Sequence, residues 1–300
     1  MYALGETFEY RQCPSCGCLQ LINIPDDLSK YYPKEYHNHI PSSSKKTFKA
    51  LRRGLKRKLI LEHPKWLSPL LKLWLPTYPL FWIYRRLGMR TTHKVLDVGS
   101  GYGEKILEIQ SAGVKKVLGV DLFVSGDIQV GDVKLVKKGT IEDIEEKFDI
   151  IIFHHSLEHM PDQLKTLQKA GSLLNPGGRI LVRIPTVSSQ AFIEYREKWY
   201  QLDAPRHLYL HSHESFKRLA EAADLSILDK WCDSTELQFI ISEQYKKGIS
   251  LFDSKSYIIN AHESGITPEQ VREFKQKAEA ANRSLAGDQI CIVLGKSQHL

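Results

Sequence analysis

The sequence predicts an α/β fold: a doubly wound, mainly parallel seven-stranded sheet with an N-terminal ribbon and a helical insertion. Three observations carry this expectation. From Thr92 onward, short runs rich in Val, Ile and Leu alternate with amphipathic stretches of helical period. Within that region, Val95-Leu96-Asp97-Val98 runs straight into Gly99, Gly101 and Gly103 and then into Ile106, Leu107 and Ile109, a strand, a tight turn and a helix. Ahead of it, Cys13-Pro14-Ser15-Cys16-Gly17 and a basic, tryptophan-rich stretch both break the rhythm.

The chain has 300 residues, ample for a large core, and an ordinary globular composition of 42% hydrophobic and 26% charged residues. Its net charge of +7 is concentrated: the segment Lys45–Lys58 holds eight basic residues and no acid, which leaves −1 for everything else. Five cysteines, two of them isolated (Cys232 and Cys291), argue against a disulfide framework. Neither a signal pattern nor a spanning apolar run is visible, so the cytoplasm is the expected location, with 45–90 the candidate for a contact at the inner membrane face.

Residues 1–39 read as a partial zinc-ribbon-like segment, with strands near Phe8–Arg11 and Leu19–Ile22 around the Cys-x-x-Cys-Gly knuckle. A tetrahedral zinc needs four ligands and only one knuckle is present, so a metal-free ribbon is expected. Residues 40–91 form the insertion: a Pro41-Ser42-Ser43-Ser44 linker, a basic helix, then Trp- and Leu-rich turns broken by Pro64, Pro69, Pro76 and Pro79. A helical cap on the following domain is preferred for this stretch, and an interfacial membrane segment is the alternative. Residues 92–300 form the main domain. Its expected strands are 94–98, 116–120, 133–137, 148–154, 179–184, 225–231 and 289–294. Helices follow the glycine turn and cover 162–174 and 212–223, and 245–286 reads as a second, partly helical insertion.

The glycine turn and the segment His155-Ser156-Leu157-Glu158-His159 carry the functional argument. The spacing Gly-x-Gly-x-Gly departs from the dinucleotide pattern, and the acid Asp97 just before it suits a ligand with a positive centre. Residues 95–104 resemble motif I of the class I S-adenosylmethionine-dependent methyltransferases, and the later segment resembles their His-x-Leu-Glu-His small-molecule group. The resemblance covers Lys94 to Leu294 and implies a Rossmann-like fold with S-adenosyl-L-methionine as cofactor. It places cofactor contacts at Asp97, Gly99, Gly101, Tyr102, Gly103, Asp121, Leu122, Thr140, Ile141 and His154. Asp121 would accept the ribose hydroxyls, and Thr140 stands where related enzymes use an acid or polar group against adenine.

Catalysis is expected from His207 first and His155 second, because a hydroxyl acceptor sheds a proton and imidazole suits its removal. Glu158 and His159 either brace the loop or act directly. Some quinone O-methyltransferases resemble this loop with an acidic-acidic-His metal set; His155 replaces one of those carboxylates, so no metal is expected. The ribbon resembles the module fused to sugar C-methyltransferases. The implied function is O- or C-methylation of a small-molecule or glycan acceptor by in-line transfer. The competing reading is a membrane-associated or nucleic-acid-binding protein that uses the basic helix. The residual charge of −1 disfavours nucleic acid as a partner.

Overall fold

Chain direction and side-chain alternation explain most of the architecture. The computed structural model describes residues 6–32, 48–130 and 133–297. Two short antiparallel strands, β1 (Tyr10–Gln12) and β2 (Leu19–Leu21), precede three helices, α1 (Phe48–Glu62), α2 (Ser68–Trp74) and α3 (Pro79–Leu87). Then come β3 (Lys94–Val98), α4 (Glu104–Ser111), β4 (Lys116–Asp121), β5 (Ile128–Val130), β6 (Val133–Lys138) and β7 (Phe148–His154). After α5 (Gln163–Ser172), β8 (Leu174–Pro185), α6 (Gln190–Tyr195), β9 (Tyr209–Leu210) and α7 (His213–Ala222), the chain ends with β10 (Leu225–Cys232), α8 (Leu237–Lys246), α9 (Pro268–Arg283) and β11 (Gln289–Lys296).

The main sheet has the order β10-β11-β8-β7-β3-β4-β6-β5, with five parallel strands from β8 to β6 and antiparallel strands at both sides. The mainly parallel sheet agrees with expectation, but it has eight strands where seven are expected. The extra strand, β5, folds back on β6 because the stretch after β4 is too short for a crossover helix. Asp127 anchors it, accepting the Lys138 N–H at 2.8 Å and pairing with Lys134 at 2.7 Å. The strand expected at 179–184 is also longer. Asn175–Gly178 bulge within β8, and the register against β7 slips between Phe148 and Ile150.

A strand covered on both faces reads as a continuous apolar run, and β7 does so. Ile151 and Phe153 face a cluster with Leu167 of α5 and Phe216 of α7. Ile150 and Ile152 face the opposite cluster, with Ile106 and Ile109 of α4 and with Ile60, Leu61, Phe81 and Leu87 of α1 and α3. Helices α1 and α3 thus share a core with the sheet, and α2 touches it only through the half-buried Leu71. The ribbon is joined on as well: β2 pairs with β9, Leu19 opposite Leu210, and Leu19 packs in a cluster with Trp199 and Phe239. At the other end, Thr267 caps α9 in a reciprocal box with Gln270, and Pro268 opens the helix.

Docking of α1 on α4 is close. A Cβ at Gly54 would collide with the carbonyl oxygen of Ser111, and Arg57 reaches Glu108 and the Ser111 hydroxyl. Helix propensity alone favours Gly54→Ala by about 1 kcal/mol. The collision is with backbone and should prevail, giving a net destabilisation of roughly 1–3 kcal/mol in urea unfolding. A stabilised variant would show that α1 does not sit this close.

Candidate active site

In a doubly wound sheet, ligands sit beyond the carboxyl ends of the strands where the winding direction reverses. Here that place lies between β3 and β7, and a cavity of about 420 Å³ opens there. The turns after these two strands interlock. Gly99 has φ +74°, and a Cβ on it would collide with Ser156, whose hydroxyl donates to the Val98 carbonyl at 2.6 Å. Gly101 has φ +53° with open space where a side chain would be, so ligand can approach its backbone.

Asp121, at the end of β4, accepts the N–H of Gly101 on Oδ2 and that of Phe123 on Oδ1, both at 2.8 Å. Each carboxylate oxygen has two acceptor sites, so one remains on each for a ligand hydroxyl. Of the residues expected at the cofactor, Gly99, Gly101, Tyr102 and Asp121 line the cavity, as do Leu122, Thr140 and Ile141. The other three stand behind its wall. Gly103 caps α4, where a Cβ would press on Leu135 and Val136. Asp97 is buried, its Oδ1 has no hydrogen-bond partner among the described residues, and burial first, then the Asp121 charge, pushes its pKa up to about 6 against the pull of Lys105. His154 points toward Arg183, Nε2 at 3.4 Å, and burial holds its pKa well below the ordinary range. Thr140 is present but occupied: its N–H donates to Asp143 at 2.8 Å, with its hydroxyl at 3.3 Å from the same oxygen.

The histidines are distributed differently from expectation. His155 lines the cavity with φ +52°, a left-handed conformation unusual for a side chain with a Cβ. Arg183 donates to its Nε2 at 2.8 Å, which leaves the proton on Nδ1 facing Glu158 at 3.3 Å. His207 does not line the cavity. It is buried behind His159, ring centroids 4.8 Å apart, with Nδ1 donating to the Gln201 carbonyl at 2.7 Å and Nε2 3.7 Å from Asp203. The cavity-facing imidazole of this pair is His159, whose Nδ1 donates to the Arg206 carbonyl at 2.8 Å. Burial lowers both rings to about 4. Sequence distance hid this pairing, since His207 comes alongside His159 only in the fold.

Tyr32 was also missed. It lines the cavity, stacks on Phe123 at 5.7 Å and lies under the Arg206 guanidinium at 5.3 Å, so the N-terminal segment completes the site. The aromatic run Tyr31-Tyr32 is its only sequence signal. Beneath the turn lies the buried Glu158, with Oε2 unpartnered among the described residues. Burial is the largest single influence and opposes its charge, but the His155 hydrogen bond and the nearby His159, His155 and His207 rings together outweigh it and hold the carboxyl below its usual range. Ligating atoms of Glu158, His159 and His207 lie within 4.8 Å of one another, and with both Nδ1 atoms on backbone carbonyls the three could hold one divalent ion. In the ribbon, a hydrogen bond with Ser15 and then those with Cys16 draw the Cys13 thiol down to about 6, whereas burial raises Cys18 to about 11.

His211, with Nε2 2.6 Å from Gln163 Oε1, is likewise buried and lowered to about 4. His159, His207 and His211 therefore bind protons more weakly in the folded chain than at their ordinary 6.5. Between those values the unfolded chain holds more protons, so stability is lost as pH falls from 6.5 toward 4, by about 2 kcal/mol per histidine at pH 5. Urea midpoints measured from pH 7 to pH 5 should drop accordingly, and a flat profile would contradict the burial of these rings.

A family model described as a methyltransferase domain matches residues 72–230. The ubiquinone biosynthesis O-methyltransferase of Haemophilus ducreyi is 28% identical over 167 residues, 48% of this chain and 65% of that protein. A ubiquinone/menaquinone biosynthesis C-methyltransferase of Francisella philomiragia is 29% identical over 156 residues, 46% of this chain and 62% of that protein. The chain thus spans somewhat under two thirds of the length of these relatives. Among solved structures, the cyclopropane synthase MmaA2 of Mycobacterium tuberculosis superposes with a TM-score of 0.44 at 14% identity, covering 72% of this chain and 84% of that one. With more than half of its length matched by the family model, the chain belongs to the methyltransferase-domain family, among the class I S-adenosylmethionine-dependent methyltransferases.

Proposed function

We propose that the protein transfers a methyl group from S-adenosyl-L-methionine to a hydroxyl or carbon of a small-molecule acceptor. The observation that carries this reading is one continuous cavity. Gly101 and Asp121 line one part of it, and His155, His159 and Tyr32 line another. The residues fit the cofactor: Gly101 leaves room for close approach, Asp121 keeps acceptor sites for ribose hydroxyls, and the buried Asp97 nearby has an oxygen unpartnered among the described residues. When bound, the sulfonium supplies both the methyl group and its leaving group. The chain must then hold the acceptor in line, exclude water and take up a proton where the acceptor is a hydroxyl.

His159 is the residue we assign to that proton. Its Nδ1 is committed to the Arg206 carbonyl, so Nε2 is the free lone pair, and the Glu158 carboxylate steadies the imidazolium that forms. His207 acts through His159 as a positioning residue, and His155, with both nitrogens engaged, orients the turn. Tyr32, Phe123 and Met160 form an apolar wall against water. Because two of the relatives take their names from ubiquinone biosynthesis, phenolic and quinol acceptors are the first to try, with sugar nucleotides as the second panel.

Two measurements test the reading. Asp121→Ala should weaken cofactor binding by about 1.5–3 kcal/mol in calorimetry, the value of a hydrogen bond to a charged group. Unchanged affinity in a folded variant removes Asp121 from the ribose. With an accepted hydroxyl substrate, His159→Ala should lower kcat by roughly 10²–10⁴ and leave cofactor affinity intact. A base titrating near 4 is unprotonated at every higher pH, so in the wild type the acid limb of kcat/KM should fall below pH 5. His207→Ala should shift that limb and cost less in kcat. A full loss in His207→Ala with little effect of His159→Ala would reverse the assignment.

A further inference from the structure

We propose that the helical stretch 48–74 is a docking surface for an anionic phospholipid bilayer, lying in the plane of the headgroups. Helix α2 and the turn before it present the wrong face to solvent for a helix that only caps a domain. Trp66, Leu70, Leu73 and Trp74 recur at the spacing of one helical face and are 74%, 57%, 77% and 81% exposed, while Leu71 is half-buried and Leu75 is buried. Helix α1 adds Leu51 and Leu55, 64% and 61% exposed. Single exposed leucines are ordinary, but two tryptophans and two leucines on one short helical face are not.

Charge identifies the occupant. Residues 45–90 contain thirteen Lys and Arg and a single acid, Glu62, so the remainder of the chain sums to −5. Arg57 and Arg86 are used within the fold, paired with Glu108 and Asp229. Among the described residues Arg52, Arg53, Lys58 and Lys65 are exposed and make no ion pair. A second copy of the chain would set this excess against its own like charge. Nucleic acid would satisfy the cations but leave Leu70 and Leu73 in water. An anionic bilayer satisfies both, taking Lys and Arg at the phosphates, Trp at the interface and Leu at the acyl boundary. Among the described residues no helix is long and apolar enough to cross a membrane, so the contact is peripheral.

The test uses the full chain and co-sedimentation with vesicles of mixed phosphatidylglycerol and phosphatidylcholine, against phosphatidylcholine alone and against duplex DNA. The expected result is binding to the anionic vesicles that weakens as salt is raised, with a blue shift of tryptophan emission. Trp66→Ser/Trp74→Ser should lower vesicle binding by roughly tenfold or more and abolish most of the shift, while leaving cofactor affinity unchanged. Arg52→Glu/Arg53→Glu should weaken binding without removing the residual blue shift at low salt. Failure of wild-type protein to bind anionic vesicles at low salt would overturn the proposal. So would equal binding by the tryptophan variant, preference for DNA, or a stable lipid-independent dimer that buries Trp66 and Trp74.

Discussion

Seating of Ser156 on Gly99 is the contact on which the site depends. The two residues end parallel strands that are neighbours in the sheet but distant in the chain. The left-handed glycine leaves the space, and the serine hydroxyl fills it by bonding to the Val98 carbonyl. Because β3 and β7 run side by side through the core, any shift of this contact would tilt both turns at once. One turn carries Gly101 and meets Asp121; the other carries His155, Glu158 and His159. The two parts of the cavity are therefore held in one rigid relation, as the proposed in-line transfer would require.

Around that contact the electrostatics are arranged by burial. Glu158 is almost wholly buried and has one oxygen unpartnered among the described residues, a costly state for a carboxylate unless cationic or donor groups surround it. His155 donates to it, while His159 and His207 stand beside it as neutral rings whose proton affinity desolvation has lowered. A proton arriving on either ring would find the carboxylate already in place. The same geometry that offers three ligating atoms to an ion thus also offers a relay for a proton. Arg183 closes the arrangement from β8, donating to His155 and pairing with Asp233 at 2.8 Å.

Peripheral segments contribute more to the site than their length suggests. Strand β2 extends the small sheet through β9, and Tyr10 donates to the carbonyl of His207 at 2.8 Å, fixing the loop in which that histidine lies. Tyr32 then reaches across to Phe123 and the Arg206 guanidinium. By contrast, α1 and α3 serve the core through Ile60, Leu61 and Phe81, and leave α2 with its apolar face outward.

Local signals in the sequence determined the parallel sheet, the glycine turn, Asp121 and the dense His-Ser-Leu-Glu-His turn. Each depends on spacing within a few residues: alternation along a strand, glycines where φ must be positive, a polar cluster at a strand end. The eighth strand was less legible, because Ile128–Val130 is short and gains its identity only by pairing with β6. Roles within the site were decided by the tertiary structure. His207 and His159 are separated along the chain and meet because the Leu208 N–H donates to the Glu158 carbonyl and His159 Nδ1 to the Arg206 carbonyl, with β9 paired against the ribbon beside them. Whether a histidine faces a cavity or a carbonyl depends on packing across the sheet, and burial sets its proton affinity. No short stretch of sequence specifies either one.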